Sequence, residues 1–290
     1  MEEAINKANA LIEALAYIRS FRGKVVVVKV GGSVIDQMDS LRELLADVAF
    51  LAAVGMHPVL VHGGGKAISS ACAEAGLEPQ FIQGRRYTDA RTLAIVEHVL
   101  CNNLNTQIVS ILEELQTPAM GLHSLSSCVV TGEKLFLQEG DRRIDLGQVG
   151  TVKQVNADLL SALCREGHIP VIAPLVRDRS GGKLNVNADS AAGEVASAMK
   201  AEKLVMLSDT HGIRTVPEDP ESLARSLTER QVREKVDSGV ITTGMQPKVE
   251  ACLAALDAGV AKAHIIDGRI PHALLLEIYT DKGVGTEIVK

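Results

Sequence analysis

The 290-residue chain is long enough for one large α/β domain or two lobes, and thirty Lys and Arg against thirty-six Asp and Glu leave a net charge of −6 without any basic block. That balance argues against nucleic acid or an anionic membrane as a partner. Five widely spaced cysteines offer no zinc or redox motif and no stretch nears the length of a membrane span, so a soluble, cytoplasmic protein is expected, with the cysteines as small core residues.

Apolar Ile5, Ala8, Ile12, Leu15 and Ile18 recur at helical spacing and predict an amphipathic helix over 5–21, which packs on its own domain or docks on another subunit. Four consecutive valines follow, then Lys29 and the pair Gly31 and Gly32. They predict a buried parallel strand ending in a glycine turn, at the carboxyl edge where open α/β sheets bind ligands. Two residues without side chains let backbone N–H groups approach an anion, and Lys29 sets a positive charge beside them.

A helix over 40–53 and a strand over 58–62 repeat the pattern, this time running into Gly63, Gly64 and Gly65 with Lys66 opening a helix. The string is not a P-loop, which would need glycine at Leu60 and Ser or Thr at Ala67. Strand, glycine triplet and helix N-terminus still make an anion site for a carboxylate or a phosphate. In the polar loop 83–89, Arg85 and Arg86 are adjacent and point apart, so at most one faces inward, where it would clamp a carboxylate.

A long helix is predicted over 91–115. The turn-rich stretch 126–155 reads as a hairpin at an edge of the sheet. A helix over 157–166 and a strand over 169–176 restore the α/β rhythm. Asn185, Asn187 and Asp189 then alternate ahead of a small-residue helix, two more polar groups than one cap explains, and the surplus points to a ligand. The strand 203–208 ends at Asp209, again at a carboxyl edge. Lys248 enters the first turn of a helix running to 257, where it opposes the helix dipole, a local violation that marks function. A strand over 263–266 and a helix over 272–279 lead to Gly283, Gly285 and Thr286.

Taken together and in this order, VVKVGG, VHGGGK, NVNAD, LSD and GMQPK resemble the motifs of the amino acid kinase family over nearly the whole chain. The resemblance implies a three-layer α/β/α sandwich around a mainly parallel eight-stranded sheet. It implies a helix at 1–22 for oligomerisation, an N-terminal half at 23–183 for an acyl amino acid and a C-terminal half at 184–290 for ATP. The implied reaction is phosphorylation of the side-chain carboxylate of N-acetyl-L-glutamate by ATP with Mg2+, giving an acyl phosphate in arginine biosynthesis. By the same likeness Lys29 and Lys248 bracket the transferring group, Gly31, Gly32 and Gly244 contact the nucleotide, and Asp209 orients both lysines. Gly64, Gly65, Arg86 and Asn185 resemble contacts to the acyl amino acid, and Asp189 a further active-site acid. No protein metal ligand is implied.

The start of the chain and the stretch 263–286 resemble the arginine-inhibited branch of that family, in which an extra helix links dimers into hexamers. Tyr17, His264, Glu277 and Gly283 are by that likeness candidates for an arginine site. The chain departs from the family at Val30, where a larger residue is usual, and at Thr243, where a glycine is. Two other readings are a related acyl kinase for an aminoadipate-type substrate and a non-catalytic sensor of arginine or nucleotide. A pure sensor has no need of a lysine set against a helix dipole. A nicotinamide-dependent oxidoreductase fails for want of G-x-G-x-x-G. The chemistry of the residues agrees with the likeness. Phosphoryl transfer needs positioning and charge neutralisation, and a carboxylate with an ordinary pKa of about 4.3 attacks without a general base.

Overall fold

A computed structural model describes the chain except at residues 125, 127, 128, 217, 242, 243, 281 and 282. The Thr243 departure and the core placement expected of Cys128 therefore lie outside the described residues.

Val25–Val30 is the centre of an eight-stranded sheet, because its valines alternate between two apolar layers and leave no polar face. Val26, Val28 and Val30 face the helices Met38–Ala53, Thr106–Glu114 and Ala273–Tyr279. Val27 faces Ala157–Arg165, Ala188–Ala198 and Gln246–Asp257 on the other side. The result is the expected three-layer sandwich. Across the sheet the order is Ser226–Thr228, Thr286–Val289, Lys262–Asp267, Lys203–Ser208, Val25–Val30, His57–His62, Ile169–Ile172, Ala119–Leu122. Every neighbouring pair is parallel except Lys262–Asp267 with Thr286–Val289. The central strand pairs with His57–His62 on one side and Lys203–Ser208 on the other, so both halves of the chain meet in one sheet.

Two expected elements take a different form. The 126–155 stretch does form a hairpin, Val130–Glu139 with Arg142–Val155, but it does not lie on the edge of the sheet. It curls with Leu175–Arg177 and Lys183–Val186 into a separate four-stranded barrel. Two register shifts in the ladder supply the bend, and Gly132 and Gly150 lie where a Cβ would run into the neighbouring strand. The strand expected over 169–176 is two strands, interrupted at Ala173 and Pro174, where the chain leaves the sheet for the barrel. The predicted long helix begins at Ala90 and ends at Glu114, with a π-helical middle at His98–Asn105. Cys72, Cys101, Cys164 and Cys252 are buried free thiols. No described helix is long and apolar enough to cross a membrane.

The N-terminal helix, Glu2–Phe21, leaves Ile5, Ile12 and Leu15 exposed. Near its end Tyr17 meets the ring of Tyr279 edge-on at 6.3 Å.

Candidate active site

Lys29 leaves the central strand one residue before Val30, and its ammonium lies 2.8 Å from Asp189 Oδ1. Lys248 approaches the same carboxylate from the first turn of Gln246–Asp257, with Nζ 3.6 Å from Asp189 Oδ2. Cations from opposite halves of the chain thus share one buried anion. Burial alone would raise the Asp189 pKa, but the two ammonium groups outweigh it and hold the carboxyl below its ordinary value. The small residues of the Ala188–Ala198 helix explain the approach of Lys248. A Cβ at Gly193 would sit 3.1 Å from the Ala251 carbonyl, so the two helices pack as closely as glycine permits.

Asn187 is the cap among the three alternating polar residues, its side chain accepting from Ser190 N at 3.0 Å. Capping by Asn187 leaves Asp189 in the first turn, where it reaches the lysines. The structure does not bring Asp209 to the lysines: among the described residues no ion pair joins it to either. It stands exposed past the end of Lys203–Ser208, its carbonyl accepting from Arg269 Nη2 at 2.7 Å. The acid that does reach Lys29 comes from the first turn of Ala188–Ala198.

A cleft of about 250 Å³ opens beside Lys29 and Asp189, lined by Gly32, Gly64, Gly65, Arg86 and Asn185 among others. Both arginines reach its wall, but Arg86 is the buried one. Its Nη2 donates to Gly65 O at 2.9 Å and to Ser69 Oγ at 2.7 Å, and its guanidinium lies over the Phe81 ring at 4.7 Å. Nη1 is buried without a hydrogen-bond partner, a cost that an incoming anion would remove. Asn185 Nδ2 donates to Thr88 Oγ1 at 3.2 Å. Gly31 has to be glycine, because a Cβ there would lie 2.8 Å from the Leu207 carbonyl of the adjoining strand.

A second depression of about 260 Å³ lies on the C-terminal side, lined by Asp209, His211, Ile213, Ile241, Met245 and Arg269. Arg269 is clamped there by buried Asp267, with Nε to Oδ1 at 2.8 Å and Nη2 to Oδ2 at 2.7 Å. Burial would raise the Asp267 pKa, and Arg269 more than offsets this to leave it lowered. Gly244 forms an exposed turn ahead of the Lys248 helix.

The sequence profile of the amino acid kinase family matches residues 24–267. The chain belongs to that family. Acetylglutamate kinases of Halothermothrix orenii and Synechococcus elongatus are 44% and 45% identical to it, over 100% and 99% of this chain and 99% and 93% of theirs. Among solved structures, N-acetylglutamate synthase from Neisseria gonorrhoeae, complexed with coenzyme A and N-acetyl-glutamate, superposes with a TM-score of 0.87 at 26% identity. The match covers 98% of this chain and 63% of that longer one. Carbamate kinase from Giardia lamblia bound to AMP-PNP, at 15% identity and a TM-score of 0.66 over 92% and 99% of the two chains, shares the fold alone.

In this amino acid kinase the residues suggested for an effector also gather, away from the cleft. His264 Nδ1 lies 2.7 Å from Glu277 Oε1, and Glu277 Oε2 accepts from Val284 N at 2.7 Å and Gly285 N at 3.1 Å. Burial lowers the His264 pKa. Burial would raise that of Glu277, but His264 and the two N–H groups bring it below its ordinary value. Lys203 faces Nε2, so Nδ1 is the ring nitrogen that donates to the Glu277 carboxylate. Gly283, at φ 55°, could not carry a Cβ, which would meet Glu277 Oε2 at 2.7 Å. Tyr17 touches the helix that carries Glu277, through Tyr279. Buried Lys203, 3.3 Å from His264 Nε2 and 5.2 Å from the centre of the Phe21 ring, was not singled out from the sequence. Its signal was a lysine opening a strand buried along its whole length. Phe81 and Ser69, which hold Arg86, carried no such signal.

Proposed function

We propose that this kinase transfers the γ-phosphoryl group of ATP to the side-chain carboxylate of N-acetyl-L-glutamate, giving N-acetyl-L-glutamyl 5-phosphate and ADP. The observation that carries the reading is the single buried carboxylate of Asp189 between Lys29 and Lys248 at the mouth of the Arg86 cleft. The acyl amino acid sits in the cleft, with one of its carboxylates on Arg86 Nη1 and the N–H groups of Gly64 and Gly65, and with Asn185 on a polar group. ATP lies across the C-terminal side, its base in the depression beside Asp209 and its phosphates reaching Gly31, Gly32, Gly244 and the two lysines.

Lys29 and Lys248 stabilise charge on the transferring oxygens, and Asp189, kept ionised, fixes their separation. The attacking carboxylate is already ionised, so no residue has to take a proton from it. Among the described residues no group of three or more His, Cys, Asp or Glu side chains is arranged to hold a metal, so Mg2+ would enter with the nucleotide phosphates and neutralise their charge. The acyl phosphate is sensitive to water, and closure of the two halves over both substrates protects it. Identical solution scattering with and without both substrates would count against closure.

Arginine is the proposed inhibitor, acting at the Tyr17, His264, Glu277 and Gly283 cluster, whose carboxylate suits a guanidinium. The open stripe of Ile5, Ile12 and Leu15 suits the N-terminal helix to pairing between dimers in a hexamer. The deciding experiment is a coupled ADP-release assay with N-acetylglutamate, glutamate, aspartate and N-acetyl-aminoadipate, each with and without arginine. N-acetylglutamate is expected to give the highest kcat/KM, with arginine lowering it. A higher value for the aminoadipate compound, or no turnover with any acceptor, overturns the reading.

The fork on Arg86 makes a narrower expectation. Arg86→Lys keeps the charge but loses the planar pair of donors, and should raise KM for the acyl amino acid about tenfold while leaving KM for ATP within about twofold. Equal effects on the two substrates would remove Arg86 from the acyl site.

A further inference from the structure

We propose that His62 and Asn105 are positioning residues that set the Gly63-Gly64-Gly65 loop against the acyl amino acid. The inference rests on the reading above that this loop faces that substrate. Neither residue touches the cleft.

His62 closes the strand His57–His62 and is fully buried. Its Nδ1 is 3.0 Å from Gly63 O, and its Nε2 is 3.1 Å from Asn105 Nδ2. The same Asn105 nitrogen is 2.9 Å from Val171 O. A peptide carbonyl only accepts, so the amide atom facing Val171 has to be the NH2 group. One of its hydrogens goes to Val171 O and the other points at Nε2. Nε2 therefore carries no proton, and the imidazole is neutral with its hydrogen on Nδ1, donating to Gly63 O. A second proton on Nε2 would face the Asn105 N–H. Burial independently pushes the His62 pKa down to about 4, and His123 adds to the effect.

Holding Gly63 O aims the next donor. A trans peptide is planar with its C=O and N–H on opposite sides, and no cis bond is present among the described residues. Turning the Gly63 carbonyl toward the ring therefore turns the Gly64 N–H away from it, toward the cleft that Gly64 lines. The loop is held at two further points. Gly63 N donates to Val30 O at 2.9 Å, which registers it to the strand carrying Lys29. A Cβ on Gly64 would lie 2.7 Å from both Leu100 and Leu104, so the loop rests directly on the π-helical stretch that ends at Asn105. Asn105 is itself fixed, since its Oδ1 lies against Gly121, where a Cβ would collide with it. The ring, the amide and the irregular helix thus form one support for the donor pair at the start of Gly65–Glu74, whose first-turn N–H groups have no partner within the helix.

Two measurements on the full-length protein test this. Nitrogen-15 NMR of the imidazoles should find His62 protonated on Nδ1 alone, with no titration between about pH 6 and 8. Protonation on Nε2, or titration in that range, overturns the pairing whether or not any variant folds. In the ADP-release assay, His62→Leu should raise KM for N-acetylglutamate about tenfold and leave KM for ATP within about twofold. His62→Asn, whose amide nitrogen replaces Nδ1, should recover most of that loss. Leu and Asn variants that are equally impaired, or both KM values rising together, reduce His62 to a core residue and overturn the proposal. A wild-type protein that fails to phosphorylate N-acetylglutamate sinks the proposed function instead, and the tautomer still decides whether the pair holds the loop.

Discussion

Lys29→Ala and Lys248→Ala are each expected to lower turnover by something on the order of 10²- to 10³-fold, as for removal of one preorganised charge donor. Asp189→Asn should cost at least as much. The two ammonium groups lie 2.8 Å and 3.6 Å from opposite oxygens of one buried carboxylate, and without it they repel in a poorly solvated space. Because all three residues form one charge cluster, the effects are not additive. A double variant lacking both lysines should lose much less than the product of the single losses. Steady-state kcat with both substrates saturating is the readout, and a thermal unfolding midpoint for each variant separates lost chemistry from lost folding. Unchanged turnover in both lysine variants would end the assignment, as would an Asp209→Asn variant that is the more damaging of the two aspartate changes.

That last comparison marks where the sequence stopped being informative. The central strand was legible because four consecutive valines are too apolar for a surface strand and leave few alternatives to a buried one. Lys248 was legible because a lysine in a first turn has to be compensated, and the compensating group is Asp189. Which acid that would be was not legible. Asp209 and Asp189 both stand at element ends beside a carboxyl edge, and the choice turns on Asn187 taking the cap and leaving Asp189 in the first turn. The barrel was hidden for a similar reason. Its hairpin is patterned like any edge hairpin, and the strands that close the barrel, Leu175–Arg177 and Lys183–Val186, lie well beyond it in the chain. The strands Ser226–Thr228 and Thr286–Val289, the last two on one side of the sheet, are three and four residues long, too short to show a period. His62 was legible as the last residue of a buried strand, but nothing in the sequence marks that its ring turns back to the Gly63 carbonyl.

Acid should destabilise this protein earlier than its carboxylates alone would require. As pH falls through about 6.5 the unfolded chain takes up a proton on His62, while the folded protein resists until about pH 4. Over that window the unfolded state binds more protons, so stability falls with pH, by about 3 kcal/mol once the folded pKa is reached. Buried His264, also lowered, acts in the same direction. Asp189 and Glu277, whose folded pKa values are lowered, stabilise the fold above their ordinary values of 3.8 and 4.5 and withdraw that contribution only as pH drops further. The histidine part is therefore separable. Urea unfolding at fixed protein concentration, compared at pH 7 and about pH 4.5, should show a loss in wild type that is smaller by about 2 kcal/mol in His62→Asn, which has no group to titrate there. The variant starts less stable, and its flatter pH dependence is the signature. Parallel pH dependences in the two proteins would mean that the ring takes a proton in the folded state as readily as in the unfolded one, which the donor of Asn105 facing Nε2 forbids.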